Sequence, residues 1–173
     1  YGTLKSPMGL IKTDISFVPV AGNNIRYKGK LETAGFQTGK LLHTKNLGDI
    51  SFNGMVDGLY NKKRKTINGN FNGTVTSLMA NNYTYSNIKL NGNLNNKKFE
   101  GSVSVNDPNL KLSFKGLLNL DNKVPVFDFI LNLDKADLVA LHLDTLQKSG
   151  NLEFEMAANF SGSNLDNLEG LIQ

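Results

Sequence analysis

Apolar and polar residues alternate in steps of two along most of the chain. The clearest run is Ile67-Asn68-Gly69-Asn70-Phe71-Asn72-Gly73-Thr74-Val75, with apolar residues and Gly at odd positions and mostly Asn between them. Alternate side chains of a strand share a face, so this run has one apolar side and one wetted side. Comparable runs span 15–17, 25–31, 50–56, 88–94, 99–105, 110–120, 127–133 and 152–160, and a tenth is allowed at 36–42. Turn-forming residues separate them at 21–24, 61–65, 80–82, 95–97, 106–109 and 121–123. Short turns between successive strands imply an antiparallel meander. Helix is scarce: 136–146 fits one short helix in part, and 165–168 a single turn.

About ten strands thus carry one continuous apolar face, and one or two short helical turns are too few to cover it. Such a sheet must fold over itself, or its apolar face must meet something that is not protein. The predicted fold is all-β: a curled antiparallel sheet, either an open trough (a β-taco) or barrel-like, forming one β-repeat segment over 1–173. The final Gly170-Leu171-Ile172-Gln173 reads as the start of a further strand, as expected of a segment cut from a longer array.

Alternation assigns the lining of the trough to Ile15, Phe17, Ile25, Tyr27, Leu31, Phe52, Val56, Ile67, Phe71, Val75, Leu90, Leu94, Phe99, Val103, Leu112, Phe114, Leu118, Phe127, Phe129 and Leu131. Asn68, Asn70, Asn72, Asn91 and Asn93 are assigned to the solvent face. A short motif, apolar-x-Gly-x-apolar, recurs around Gly29, Gly54, Gly69, Gly73, Gly92, Gly101 and Gly116, and places each Gly on the apolar face. Glycine inside a strand marks a bend or a close approach. Two compatible readings follow: these glycines let a strongly curved sheet bend, and they widen an apolar channel for a ligand.

Composition sharpens this picture. The 24 Asn and 17 Gly suit turns and disfavour long helices. The lack of Cys excludes disulfides, Cys-based zinc sites and thiol catalysis. Only His43 and His142 are present, far apart in sequence, so each is read as structural or exposed and no His-rich metal site is expected. Asp134, Asp137 and Asp144 crowd one segment but lack the Gly-centred spacing of a calcium loop. Asp134 is read instead as the cap of the 136–146 helix, and Asp107-Pro108-Asn109 as a turn. No catalytic set, metal site or cofactor site is predicted, so the chain is not read as an enzyme.

The formal charge is +4, with most Lys scattered singly. A nucleic-acid binder concentrates its charge and interleaves it with aromatics, so no nucleic-acid partner is expected. The one concentration is Lys62, Lys63, Arg64 and Lys65, at a predicted hairpin tip. It reads as a solvated turn that discourages edge association. The functional alternative is contact with anionic lipid headgroups, worth about 1 kcal/mol per basic residue. No apolar run approaches the length of a membrane-spanning helix.

An ordered set of phrases resembles the TamB and AsmA-like family of bacterial envelope proteins, especially its Bacteroidetes members. The set is Thr84-Tyr85-Ser86-Asn87-Ile88-Lys89-Leu90-Asn91-Gly92, Phe99-Glu100-Gly101-Ser102-Val103-Ser104-Val105-Asn106-Asp107-Pro108-Asn109-Leu110, Phe114-Lys115-Gly116, Pro125-Val126-Phe127-Asp128-Phe129, and Ala136-Asp137-Leu138 with Leu141. Phe160-Ser161-Gly162-Ser163-Asn164-Leu165-Asp166-Asn167-Leu168-Glu169-Gly170 is similar to the family's step into a new strand. The resemblance covers most of 48–173. It implies an interior segment of a periplasm-spanning lipid-transfer protein, anchored in the inner membrane through parts outside this segment. Its apolar groove would conduct phospholipid acyl chains between inner and outer membrane and support outer-membrane biogenesis. An outer-membrane barrel protein is the implied partner, again through parts outside this segment, and help in assembling outer-membrane proteins is an alternative role.

Two rivals stand beside that expectation: a closed barrel holding one small apolar ligand, and a structural β-repeat of a surface protein. At about 0.8 kcal/mol per buried methylene, a trough touching about ten of them offers about 8 kcal/mol before the cost of ordering the chain. About ten strands at roughly 4.8 Å give a trough of about 48 Å.

Overall fold

The computed structural model of the chain describes residues 1–37, 39–40, 46–120, 124–143, 151–161 and 169–172. These hold twelve strands: β1 (Gly2–Ser6), β2 (Gly9–Val20), β3 (Asn24–Ala34), β4 (Phe36–Gln37), β5 (Leu47–Asn61), β6 (Thr66–Ala80), β7 (Tyr83–Asn95), β8 (Lys98–Asn106), β9 (Leu110–Asn119), β10 (Val126–Asp137), β11 (Asn151–Ser161) and β12 (Glu169–Ile172). Eleven of them form one antiparallel sheet in chain order, and the two-residue β4 pairs with β5 off that path. β1 and β12 lie at opposite ends of the order and do not pair, so the sheet is open rather than a closed barrel.

The turns use part of the Asn. Asn23, Asn81, Asn82 and Asn96 all have positive φ, between 49° and 63°, in the turns that join successive strands. Among non-glycine residues, Asn tolerates this left-handed region best. Tight turns with such residues return the chain at once, and the meander follows.

The surface area reveals a single layer. A compact protein of this mass exposes about 8400 Å², whereas this chain exposes 11388 Å². Yet Val56 is only 4% exposed, with no helix layered over the sheet among the described residues. Curling resolves the two facts, because side chains on a concave face converge and shield one another. Irregularities in the ladder mark where it bends. Register shifts occur between Ser51 and Phe52 on β5 and between Leu133 and Ala136 on β10. Gly29 and Gly116 sit within strands at φ of 150° and 149°, a conformation that side-chain-bearing residues rarely adopt. A β-carbon at either would overlap the backbone of the neighbouring strand.

Four points of the sequence reading need correction. β1 was not foreseen. The strand expected over 36–42 ends at Gln37, residues 39–40 are helical, and 41–42 lie outside the described residues. The helix expected over 136–146 does not form in its described part. Ala136 and Asp137 end β10, and 138–142 make a turn, with 144–146 outside the described residues. Among the described residues Asp134 caps no helix. It occupies the extra position of a bulge in β10, where Leu133 faces Leu112 and Lys135 faces Lys111. The cap is Asp137, whose Oδ1 accepts the Ala140 N–H at 3.0 Å. The single turn closes with Leu141 N–H donating to the Asp137 carbonyl at 2.9 Å and stops at His142, which has φ of 58°. The turns expected at 121–123 and 165–168 lie outside the described residues.

The buried apolar side chains form two clusters on the same face. One centres on Tyr27, Phe52, Val56, Val75, Ile88 and Val105. The other gathers Leu133, Ala136 and Leu141, with Tyr83, Tyr85, Leu110 and Leu112 against them.

Candidate functional site

Cross-strand pairs place side chains on a common face, and the register carries that face across the sheet. One row runs Phe17–Tyr27–Gly58–Gly69–Leu94–Phe99–Leu118–Phe127–Phe160. A second runs Ile15–Gly29–Val56–Phe71–Gly92–Gly101–Gly116–Phe129–Ala158. A third begins Leu31–Gly54–Gly73–Leu90–Val103–Phe114–Leu131–Met156. A fourth is Phe52–Val75–Ile88–Val105–Leu112–Leu133. Ile25 pairs with Tyr60, and Tyr60 with Ile67. All twenty residues assigned to the lining therefore share one face.

Opposite them, Asn70 faces Asn93 and Asn72 faces Asn91 on the exposed side, and Asn93 Nδ2 donates to Asn70 Oδ1 at 2.9 Å. Asn68 belongs to the same side but is only partly exposed.

Several of the glycines do not widen the channel in the way their small size suggests, because aromatic rings lie across them. A β-carbon at Gly58 would come within 2.5 Å of the Tyr27 hydroxyl oxygen, one at Gly73 within 2.7 Å of Phe52 Cζ, and one at Gly92 within 2.6 Å of Phe99 Cε2. Tyr27 is held there by its hydroxyl, which donates to the Asn68 carbonyl at 3.2 Å. Burial first, and then the charge of Asp57, push its phenol pKa above the ordinary value. Beyond these rings, Phe114 stands 5.3 Å from Phe129 and 6.2 Å from Phe99, and Phe127 stacks on Phe160 at 4.7 Å. A pavement of rings thus covers β8 to β11.

An open apolar groove remains between β2 and β6. It has a volume of about 300 Å³ and is lined by Ile15, Phe17, Ile25, Tyr27, Leu31, Val56, Tyr60, Ile67 and Phe71. Pockets of this size and character suit small apolar ligands or parts of larger ones. Phe17 is 64% exposed and Ile67 44%, so the groove opens to water along its rim. Tyr60 was missed in the sequence, although it continues the alternation of Phe52, Gly54, Val56 and Gly58.

The hairpin tip of Lys62, Lys63, Arg64 and Lys65 follows directly on Tyr60 and Asn61, and all four residues are exposed. Lys63 and Arg64 border a cavity on the polar face rather than the groove itself.

At the opposite strand ends, the turn after β10 folds onto the apolar face. Leu141 is 1% exposed and packs with Leu133 and Ala136. Beside it Asp107, 2% exposed, accepts hydrogen bonds from the Tyr83 hydroxyl, from the Ser86 N–H at 2.9 Å, from the Ser86 hydroxyl at 2.8 Å and from the Asn109 N–H at 2.9 Å. Burial alone would raise the Asp107 pKa, but these donors together hold it below the ordinary carboxylate value. The site is a structural knot: every oxygen is occupied, and it ties β7 to the β8–β9 turn.

His142 is exposed, with Nδ1 3.3 Å from the Asn81 carbonyl, while His43 and Asp144 lie outside the described residues. Among the described residues, no three His, Asp or Glu side chains gather as a metal site would require. The chain matches no protein-family model, no curated protein and no solved structure.

Proposed function

We propose that this segment holds and passes lipid acyl chains along its apolar face. In this reading it serves as an interior part of an envelope lipid-transfer protein of the TamB and AsmA-like kind, conducting phospholipid between inner and outer membrane. The observation that carries the proposal is the unbroken apolar row from β2 to β11 on an open sheet, with a groove at one end still half exposed to water. A packed structural repeat has no use for an apolar face left this wet. A smooth pavement of rings and aliphatic side chains offers burial without a polar group to fix a lipid in place, so a tail gains from contact and still slides. The basic tip at 62–65 stands at the same end of the sheet as the groove, with Lys63 and Arg64 bordering the polar face. The periplasmic setting, the inner-membrane anchor and an outer-membrane barrel partner belong to the same proposal through parts outside this segment. The role is that of a carrier rather than an enzyme.

A carboxylate in the lining tests the proposal. Phe71→Asp and Phe114→Asp place a charge that an acyl chain cannot cross without hydrating it. On an open trough the same carboxylate reaches water in the empty protein, so the fold survives. The expected result is cooperative unfolding retained in both variants, with photo-crosslinking to phospholipid sharply reduced in cells carrying the full-length protein. A folded variant that crosslinks as the parent does would refute the conduit.

A further inference from the structure

The end of the sheet that carries turns 21–23 and 62–65 has a second hollow, on the face opposite the groove. Its volume is about 610 Å³, and Asn23, Asn24, Asn61, Lys63, Arg64 and Asn68 are in its wall, which holds no acidic residue. The β3–β5 register sets Asn24 against Asn61. Asn61 then binds the two turns together: its Nδ2 donates to the Gly22 carbonyl at 3.1 Å and to Asn24 Oδ1 at 2.8 Å, and its Oδ1 accepts the Arg64 N–H at 2.8 Å. Asn24 Nδ2 is fixed on the Ala21 carbonyl at 2.9 Å, and the Lys62 N–H on the Asn23 carbonyl at 2.9 Å. These bonds tie the basic loop to the neighbouring turn.

The charge at this rim is uncompensated. Among the described residues neither Lys63 nor Arg64 makes an ion pair. On the same face Arg26 and Lys28 share one carboxylate, Asp57, at 3.2 Å each, leaving a further positive charge. Cations without a partner ask for an anion.

We propose that this hollow is a binding site for a phosphoryl group, held by Lys63 and Arg64 at its rim. Charge-assisted bonds to phosphate oxygens are the strong ones, and arginine matches them in geometry. The group belongs either to a lipid headgroup or to a free phosphate. The site stands on the polar face, so it does not depend on the acyl-chain groove.

The test uses inorganic phosphate against the ¹⁵N-labelled protein at constant ionic strength, with chloride as the control ion. The expected result is saturable shifts of the Asn61 side-chain amide and the Arg64 N–H with phosphate and none with chloride. The double variant Lys63→Gln with Arg64→Gln alters only exposed side chains, and should weaken the affinity about tenfold or more, the worth of one charge-assisted contact. Vesicles of phosphatidylglycerol identify the source: capture of the protein that phosphate competes away supports a headgroup, and phosphate binding without capture supports a free phosphate. Absence of saturable phosphate shifts, or unchanged affinity in the folded double variant, overturns the site. Crosslinking at Phe71 reports on the groove separately, so failure of one reading leaves the other standing.

Discussion

Asp107 shows how much one side chain can hold. Four donors converge on its two oxygens, from Tyr83, Ser86 and Asn109. Asp107→Ala strands them at a buried position. A loss of about 2 to 4 kcal/mol is expected in urea unfolding, the usual scale for buried donors deprived of a charged partner. Because the folded carboxyl pKa is lowered, its contribution is whole above the ordinary carboxylate range and disappears as pH falls through the lowered value. Asp107→Asn should therefore flatten the acid limb of a stability-versus-pH curve, and an unchanged limb would contradict the assignment. Tyr27 acts at the other extreme. Its raised phenol pKa gives stability that is complete below the ordinary phenol value and lost as pH rises beyond it, a loss Tyr27→Phe should reduce. Neither role was legible in the sequence. Asp107-Pro108-Asn109 reads as a turn and is one, but Tyr83 and Ser86 lie 24 and 21 residues away, and alternation carries no information about such a distance.

At the scale of elements, the strands were legible because a period of two has one structural meaning when turn residues bound it. All twenty lining residues fall on one face for that reason. The helix expected over 136–146 shows where the signal fails. The bulge at Asp134 lets Leu133 and Ala136 share a face although they are three positions apart, and a spacing of three imitates a helix. The glycines were legible by position but not by purpose. Placing them on the apolar face was right, yet the room left at Gly54, Gly69, Gly73 and Gly92 is taken by rings from their own or neighbouring strands, and Gly29, Gly101 and Gly116 lie against neighbouring backbone. Gly73→Ala makes the distinction measurable. The added methyl meets the Asn53 carbonyl at 2.6 Å and the Phe52 ring at 2.7 Å, so the strand pair must shift or the ring must leave. A destabilisation of about 1 to 3 kcal/mol is expected, typical of overpacking, with movement of the Phe52 ring resonances. If glycine served only to leave a channel free, the methyl would be tolerated.

For the whole molecule, the large exposed area has a thermodynamic signature. Sensitivity to urea scales with the surface uncovered on unfolding, and a single-layer sheet has less left to uncover than a compact domain. Its urea m-value should fall clearly below that of compact proteins of 173 residues, and a value typical of that length would contradict the open sheet. An occupant of the apolar face should restore part of the deficit, raising the thermal midpoint with lipid concentration as binding to the native state requires. The order of the strands also has a bearing on time. Each strand of the main path pairs with the strand just before it, apart from the step from β3 to β5 past the two-residue β4. No stretch must wait for a distant partner, and such local wiring favours fast folding. A chain delivered end first, from a ribosome or through a pore, can therefore lay down its ladder one hairpin at a time. Among the described strands, each one laid down leaves an unpaired edge for the next to arrive.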